Sequence, residues 1–178
     1  YDGVSDIAFE KRGDRTVLTN RYRSGNSRIS ALIPTEDDIP LYFLVATGGG
    51  FIEGEKYYNI ATLEKDAHAV LTTQTPNYIY KCPHGMTTSQ LNEVTVKENA
   101  FLEYYIDEVI PYEDAIYYQK TFVDIKKGGS LILTDGLTAG WSKSGTPFLY
   151  NRVDLKTRIL YDNELVAHFE IGNNPLYP

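Results

Sequence analysis

The sequence predicts a mostly β fold with little helix, built as stacked hairpins, a sandwich or a β-coil. Short apolar or alternating runs recur along the chain, among them residues 94–96, 121–125 and 131–133. Such runs are typical of strands with one or both faces buried. Fifteen tyrosines point the same way, because tyrosine suits sheet surfaces where the ring packs and the hydroxyl stays near water.

A polar turn followed by a short apolar strand recurs four times. The turns begin at Lys65, Glu98, Lys127 and Tyr161, about thirty residues apart. Asp, Asn and Gly in these segments supply the backbone conformations that tight turns need. Such a recurrence predicts that successive units stack on one another. Chance is the alternative, since a turn followed by a strand is common in any β-protein.

The segments between the strands read mostly as loops. Residues 24–27 form a flexible loop, residues 34–40 an acidic connection, and residues 140–147 a loop with the only tryptophan. Residues 85–92 are the one region that could hold a short helix, with Thr87, Thr88 or Ser89 as its cap, or else an irregular loop. We see no linker between domains and expect residues 1–178 to form a single domain.

Charge and composition exclude several classes of function. The net charge is −7 with 23% charged residues, and no basic cluster offers a surface for nucleic acid. No long apolar run predicts a membrane span, and no signal peptide is visible. Cys82 is the only cysteine, which favours a reducing compartment, so we expect a cytoplasmic protein.

The glycine triplet at positions 48–50 does not predict a phosphate site. A phosphate cradle needs backbone N–H groups at a helix N-terminus, usually with a lysine and a serine or threonine. Here the triplet is followed by Phe51 and Ile52, then by Glu53 and Glu55, in a strand-like context. Two carboxylates at the mouth of the loop would repel phosphate.

No constellation predicts an enzyme. The serines of residues 140–147 lack the spacing of a nucleophile motif, and no poised triad is visible. Cys82 and His84 are two residues apart and could hold a transition metal transiently. A closed site needs more ligands than these two, and an ordinary loop cysteine and histidine are the alternative. We therefore expect no tightly bound cofactor.

An ordered set of motifs resembles the urease accessory protein D family (UreD, or UreH in some organisms). The triplet 48–50 is followed by an apolar pair and Gly-acid, then by Leu-Thr-Thr-Gln at 71–74 and Tyr80-Lys81. Residues 100–104 (Ala-Phe-Leu-Glu-Tyr), residues 110–115 and the Thr-Asp-Gly turn at 134–136 continue the resemblance. It covers nearly the whole chain.

The resemblance implies a β-helix-like fold and a role in urease maturation. Such a protein would be a non-enzymatic chaperone that docks on apo-urease and on UreF, reaching the GTPase UreG through UreF. Nickel(II) would pass in transit through an internal, water-filled channel. Family members generally extend beyond the equivalent of Pro178, so the resemblance implies a chain that is incomplete at its C-terminus.

The family motifs nominate side chains for the nickel channel. Carboxylates, hydroxyls and amides hold nickel weakly enough to let it exchange. Thr72, Thr73 and Gln74 have an alternative role as buried hydrogen-bond formers, whereas a carboxylate in a β interior is costly unless it is hydrated or paired. Glu55 stands where the family commonly has aspartate. The channel candidates are Glu55, Thr72, Thr73, Gln74, Glu103 and Asp135.

Tyrosines nominate a surface for protein partners. Tyrosine is enriched at interfaces, and Tyr104, Tyr112 and Tyr117 are the candidates; plain sheet packing is the alternative. A second reading of the whole chain is a carbohydrate- or ligand-binding β-protein unrelated to nickel. An external aromatic groove would favour that reading, and an interior polar passage would favour urease maturation.

Overall fold

The computed structural model describes residues 1–173, which form fourteen strands and no helix. Their bounds are β1 (Gly3–Arg12), β2 (Arg15–Gly25), β3 (Ser27–Ile29), β4 (Leu41–Ala46), β5 (Lys56–Leu63), β6 (His68–Thr73), β7 (Asn77–Ile79), β8 (Thr88–Val96), β9 (Phe101–Tyr105), β10 (Val109–Pro111), β11 (Ile116–Ile125), β12 (Ser130–Thr134), β13 (Arg152–Tyr161) and β14 (Glu164–Asn173). The prediction of a mostly β fold is confirmed.

The strands form two sheets that face one another, and a short third side. The seven-stranded sheet has the order β14-β13-β11-β8-β5-β1-β2, and the five-stranded sheet has the order β12-β9-β6-β4-β3. Strands β1, β5, β8, β11 and β13 are parallel, as are β4, β6, β9 and β12. Strands β7 and β10 pair on the third side. The chain therefore winds as a β-solenoid, which confirms the β-helix-like expectation.

Three of the four predicted turn-and-strand units stack as coils. The N–H of Asp66 donates to Glu98 O at 3.0 Å, and the N–H of Asn99 donates to Lys127 O at 3.3 Å. Each of these turns leads from the seven-stranded sheet into the five-stranded sheet. The fourth turn departs from this path, because residues 161–163 close an antiparallel hairpin between β13 and β14 within the seven-stranded sheet.

The expected helix or irregular loop at residues 85–92 is wrong over most of its length. Strand β8 begins at Thr88, and only residues 85–87 belong to a loop. The side chains of Thr88, Gln90 and Asn92 are buried while those between them are more exposed. That alternation is the period of a strand, and it carries polar residues on the buried face.

Two hydrophobic clusters fill the solenoid. One lies between the two large sheets, around Ile7, Phe9, Leu63, Leu71 and Leu102. The other lies towards the third side, around Phe51, Tyr57, Ile79, Tyr117 and Leu155. Buried polar side chains lie between these clusters, and they define the site described next.

Candidate functional site

A row of polar side chains crosses the inner face of the seven-stranded sheet. Parallel register places Ser5 beside Asn59, Asn59 beside Asn92, and Asn92 beside Thr121. Thr157 follows Thr121 on β13. Asn92 is 0% exposed, and Ser5, Thr121 and Thr157 are also buried. Because each of these strands places one polar side chain at the same position in the register, the row runs across five strands.

Hydrogen bonds connect the row across β5, β8 and β11. Asn92 Oδ1 accepts from Asn59 Nδ2 at 3.0 Å and from Gln90 Nε2 at 2.9 Å. Asn92 Nδ2 donates to Thr121 Oγ1 at 3.0 Å. Gln90 is also buried, and its register neighbour is Gln119 of β11. We call the seven residues Ser5, Asn59, Gln90, Asn92, Gln119, Thr121 and Thr157 the polar ladder.

Asp135 lies where the polar ladder meets the end of β12. Gln119 Nε2 lies 3.3 and 3.2 Å from the two carboxylate oxygens, and the N–H of Gly136 donates to Oδ1 at 2.9 Å. Thr157 Oγ1 donates to Oδ2 at 3.5 Å. Burial raises the pKa of Asp135, and these hydrogen bonds oppose that rise. The ladder therefore ends on a half-buried carboxylate that is partly shielded from water.

The charge of Asp135 affects the pKa values of two buried tyrosines nearby. Burial raises the pKa of the Tyr104 and Tyr117 hydroxyls, and the nearby Asp135 carboxylate raises it further. Tyr117 donates its hydroxyl to Gln119 Oε1 at 3.0 Å. The Asp135 carboxylate thus places a negative charge beside these two hydroxyls. A cation would be attracted here.

Two small cavities adjoin the other end of the polar ladder. The inner cavity, about 30 Å³, is lined by Ser5, Asn59 and Gln90 of the ladder, together with Ser27 and Thr73. A cavity of that size has room for about two water molecules. The outer cavity, also about 30 Å³, reaches the surface beside the glycine triplet 48–50. The two cavities share lining residues: Leu44, Val45, Ala46, Phe51, Thr73 and Asn77.

An open cleft of about 520 Å³ lies on the far side of Asp135. It is bounded by Leu133 and Asp135 on one side and by strands β13 and β14 on the other. Phe169 and Ile171 of β14 line this cleft and are exposed. The five-stranded sheet ends at β12, whereas the seven-stranded sheet continues through β13 and β14. The polar interior is therefore bounded by the small cavities at one end and by this cleft at the other.

The structure brings some of the predicted channel residues to these openings. Thr73 lines both small cavities and donates to Asp107 Oδ2 at 2.9 Å. Gln74 is exposed and lines the outer cavity. Thr72 lies on the opposite face of β6 from the buried Leu71, and its hydroxyl donates to Thr73 O at 3.3 Å.

Glu55 lies behind the wall of the inner cavity. Its carboxylate is half-buried and accepts from Asn26 Nδ2, from the N–H of Ile52 and from the hydroxyl of Tyr57, each at 3.0 Å. Tyr57 itself lines the inner cavity. The side chain thus holds together the segments that enclose this cavity.

The expectation that the Glu103 carboxylate enters the β interior is wrong. Its strand neighbours Leu102 and Tyr104 are buried, so Glu103 points to the outer face of the five-stranded sheet. There its Oε1 lies 2.9 Å from His68 Nε2, and its Oε2 accepts from the Tyr105 hydroxyl at 2.7 Å. These two hydrogen bonds, and then the charge of His68, lower the pKa of Glu103.

Two of the three tyrosines predicted at a partner surface are core residues. Tyr104 is 2% exposed and Tyr117 is 1% exposed, because both fall on inward positions of their strands. The third, Tyr112, lies on the third side of the solenoid between Tyr80 (ring centroids 5.2 Å apart) and Trp141 (4.8 Å apart). Trp141 is 53% exposed. We call Tyr80, Tyr112 and Trp141 the aromatic row.

The structure points Cys82 and His84 in different directions. The Cys82 thiol is buried and accepts from the N–H of Ile116 at 3.3 Å, and burial raises its pKa. His84 is exposed, and its Nδ1 lies 2.8 Å from Glu53 Oε2. Within residues 1–173, no three histidine, cysteine, aspartate or glutamate side chains form a group that could hold a metal ion. Metal binding by this pair stays a prediction.

The polar ladder is the feature that the sequence reading missed. Its signal was present in the repeat, because Asn59, Asn92 and Thr121 occupy equivalent positions of successive coils. Each is followed two residues later by a small apolar side chain on the same face: Ala61, Val94 and Val123. Aligning the coils on those apolar positions would have shown polar residues facing inward.

Sequence comparisons match this chain to one protein family. A family model described as UreD urease accessory protein matches residues 1–170. The chain is 47% identical over 166 residues to urease accessory protein UreD of Streptococcus thermophilus (strain CNRZ 1066), covering 93% of this chain and 60% of that protein. It is 36% identical over 176 residues to UreD of Staphylococcus aureus (strain bovine RF122 / ET3-1), covering 98% of this chain and 63% of that protein.

The match extends to a relative from a third organism. UreD of Ureaplasma urealyticum is 35% identical over 171 residues, which is 96% of this chain and 58% of that protein. The chain thus spans about 60% of the length of these relatives. In the part of the chain that the structure describes, no helix is long and apolar enough to cross a membrane. The family match over residues 1–170 and these identities place the chain in the UreD family of urease accessory proteins.

Proposed function

We propose that this chain acts in urease maturation by conducting nickel ions through its polar interior to apo-urease. The polar ladder that ends on Asp135 is the observation that carries this proposal. Its amide and hydroxyl oxygens are hard, neutral donors that bind nickel(II) weakly. Weak binding suits transit, because an ion must be able to leave each position that it occupies.

Asp135 supplies the charge that draws a cation along the ladder. Its pKa is raised because an anion is poorly solvated there, so a passing cation would stabilise the ionised carboxylate. The small cavities at one end and the cleft at the other would be the two ends of the route. Thr73 and Gln74 belong to this route by position, whereas Glu103 does not.

The polar ladder also has a structural role, which does not compete with transit. Side-chain amides stacked in register between parallel strands satisfy one another and hold neighbouring coils together. The same side chains can exchange a hydrogen bond to one another for one to water or for contact with an ion, while the backbone hydrogen bonds between the strands stay intact. Substitutions that preserve folding therefore separate the two roles.

The partners in this proposal are UreF, apo-urease and, through UreF, the GTPase UreG. The family sequence motifs and family membership support that assembly. The chain has no P-loop, so GTP hydrolysis belongs to UreG. The aromatic row, with its exposed Trp141, is the surface that we assign to protein contacts, because exposed tryptophan and tyrosine are enriched in binding hot spots. We place this activity in the cytoplasm.

The test is co-expression of this chain with UreF and apo-urease from one source. Size-exclusion chromatography would report whether the three co-elute, and a nickel-dependent urease assay would report activation. Co-elution, with activation that requires this chain, would support the proposal. If the chain binds neither partner and activation proceeds equally without it, the proposal is wrong, and the carbohydrate- or ligand-binding alternative would regain interest.

A further inference from the structure

The glycine triplet forms the outer wall of the outer cavity. Residues 48–50, which we call the glycine loop, have φ values of +107°, +74° and +156°. Gly49 and Gly50 line the cavity together with Gln74, Thr75 and Asn77. Since Gly49, Gln74 and Thr75 are exposed, this wall lies at the protein surface and narrows the way from solvent into the cavity.

The glycine loop is fixed at both ends. Before it, the N–H of Thr47 donates to Asn26 O at 2.8 Å, and after it, the N–H of Phe51 donates to Tyr78 O at 2.8 Å. Phe51 is buried and stacks on Tyr57 with ring centroids 3.9 Å apart. The ends of the loop therefore belong to the rigid solenoid, and any movement is confined to the three glycines.

A single side chain ties down the middle of the glycine loop. The hydroxyl of Tyr80 donates to Gly49 O at 3.0 Å. Glycine has the widest backbone freedom of any residue, so three in a row can change conformation at little energetic expense once that bond is broken. In the closed position the loop lies tight against its neighbours, because a Cβ on Gly50 would lie 2.8 Å from Tyr78 O.

Beneath the glycine loop, the outer and inner cavities meet. Thr73 and Asn77 line both of them, and the inner cavity continues to Asn59 and Gln90 of the polar ladder. Each cavity is only about 30 Å³. Each cavity has room for about two water molecules, fewer than a hydrated metal ion carries, so passage of a hydrated ion needs the wall to move.

We propose that the glycine loop is a flap over the mouth of the polar interior, and that the Tyr80 hydroxyl is the latch that holds it closed. Opening the flap widens the way from solvent into the outer cavity and admits a hydrated cation as far as Thr73. The identity of the cation as nickel rests on the proposed function. The flap itself rests only on the loop, its latch and the cavities.

The test measures access to Thr73 with a small thiol reagent. In the Thr73→Cys variant, labelling by a methanethiosulfonate reagent should be slow, because Thr73 is only partly exposed and the glycine loop narrows the approach to it. Adding Tyr80→Phe removes the latch hydroxyl and should speed labelling about fivefold, the effect of losing one ordinary hydrogen bond. The unmodified chain gives the background from the buried Cys82. Adding Tyr78→Phe instead is the matched control, since that neighbouring hydroxyl does not hold the loop, and it should leave the rate unchanged.

Hydrogen exchange and a second cysteine keep the proposal falsifiable if Thr73→Cys misfolds. Asn77→Cys samples the same two cavities, and amide exchange at Gly49 and Gly50 should quicken in Tyr80→Phe alone. Equal labelling rates with and without Tyr80→Phe, or unchanged exchange in the glycine loop, would overturn the flap. Faster labelling with unaltered nickel-dependent urease activation would leave the flap standing and count against nickel transit through this mouth.

Discussion

Replacing Asn92 with alanine tests whether the polar ladder exists as a hydrogen-bonded structure. The Asn92 side chain is 0% exposed and makes three hydrogen bonds. The alanine variant leaves the side-chain N–H groups of Asn59 and Gln90 without their acceptor. A buried donor without an acceptor costs about 1–3 kcal/mol, so the two together cost about 2–6 kcal/mol.

Water moderates this loss, because Asn59 and Gln90 also line the inner cavity. Water that enters the vacated space restores part of the hydrogen bonding, so we expect a loss of about 2–3 kcal/mol, at the lower end of that range. Urea unfolding followed by circular dichroism would measure the free energy of unfolding.

The matched control is Thr95→Ala on the same strand. Thr95 faces the opposite side of β8 from Asn92 and is partly exposed, so its loss should change the free energy of unfolding by no more than about 0.5 kcal/mol. If Asn92→Ala is destabilised as little as Thr95→Ala, the three hydrogen bonds do not hold the coils together and the reasoning is refuted.

Three further predictions concern the half-buried Asp135 carboxylate, a turn and the Cys82 thiol. Burial raises the pKa of Asp135 in the folded state, so the folded chain binds this proton more tightly than the unfolded chain, and stability is lost as pH rises from about 4 through the folded pKa. The advantage of Asp135→Asn in free energy of unfolding should therefore grow from pH 4 to pH 7, and a constant difference would contradict it. Asn99 has a φ of +55°, and its side chain donates to Asp66 Oδ1. Asn99→Ala should lower the free energy of unfolding by about 1–2 kcal/mol, whereas Asn99→Gly, which tolerates this φ, should lower it less. Thermal melts that rank the two variants in the reverse order would contradict the stacked turn. Cys82 is buried with a raised pKa, so it should react with a thiol reagent at neutral pH far more slowly in the folded chain than in urea, and equal rates would contradict its burial.

The repeat explains why the fold could be read from the sequence. The turns at Asp66, Asn99 and Gly128 mark the places where the chain leaves the seven-stranded sheet. The residue types that favour tight turns are enough to recognise them in the sequence. The turn at Asp162 carries the same residue types, yet it closes a hairpin. Local chemistry specifies that a turn forms, whereas the sheet that receives the next strand is decided by long-range packing.

The candidate site was harder to predict because it depends on which face of each strand points inward. In β8 both faces mix polar and apolar residues, with Gln90 and Asn92 on one face and Leu91 and Glu93 on the other. Composition alone does not choose between them, and a shift of one residue exchanges the faces. In β9, however, the alternation of Leu102 and Tyr104 around Glu103 indicates that this carboxylate lies outside, and the expectation that it enters the interior overlooked that pattern.

The family motif predicted Asp135 as a channel residue, but it did not predict the hydrogen-bond partners of this side chain. Gln119 lies sixteen residues away in sequence and Thr157 twenty-two, on strands whose neighbours are fixed only once the coils have stacked. Contacts of this kind arise from parallel register across the sheet. They become predictable when the coils are aligned with one another, and not from any single segment.

The most direct test of the central claim compares two variants of this chain, Asp135→Asn and Glu103→Gln, by the nickel-dependent urease activation that each supports. Both variants remove one negative charge, the first in the polar interior and the second on the outer face of the five-stranded sheet. Each would be co-expressed with UreF and apo-urease, and co-elution would confirm that the complex is intact. We expect Asp135→Asn to lower activation several-fold while Glu103→Gln activates as the unmodified chain does. Full activation by a folded, co-eluting Asp135→Asn would contradict a nickel route through this interior.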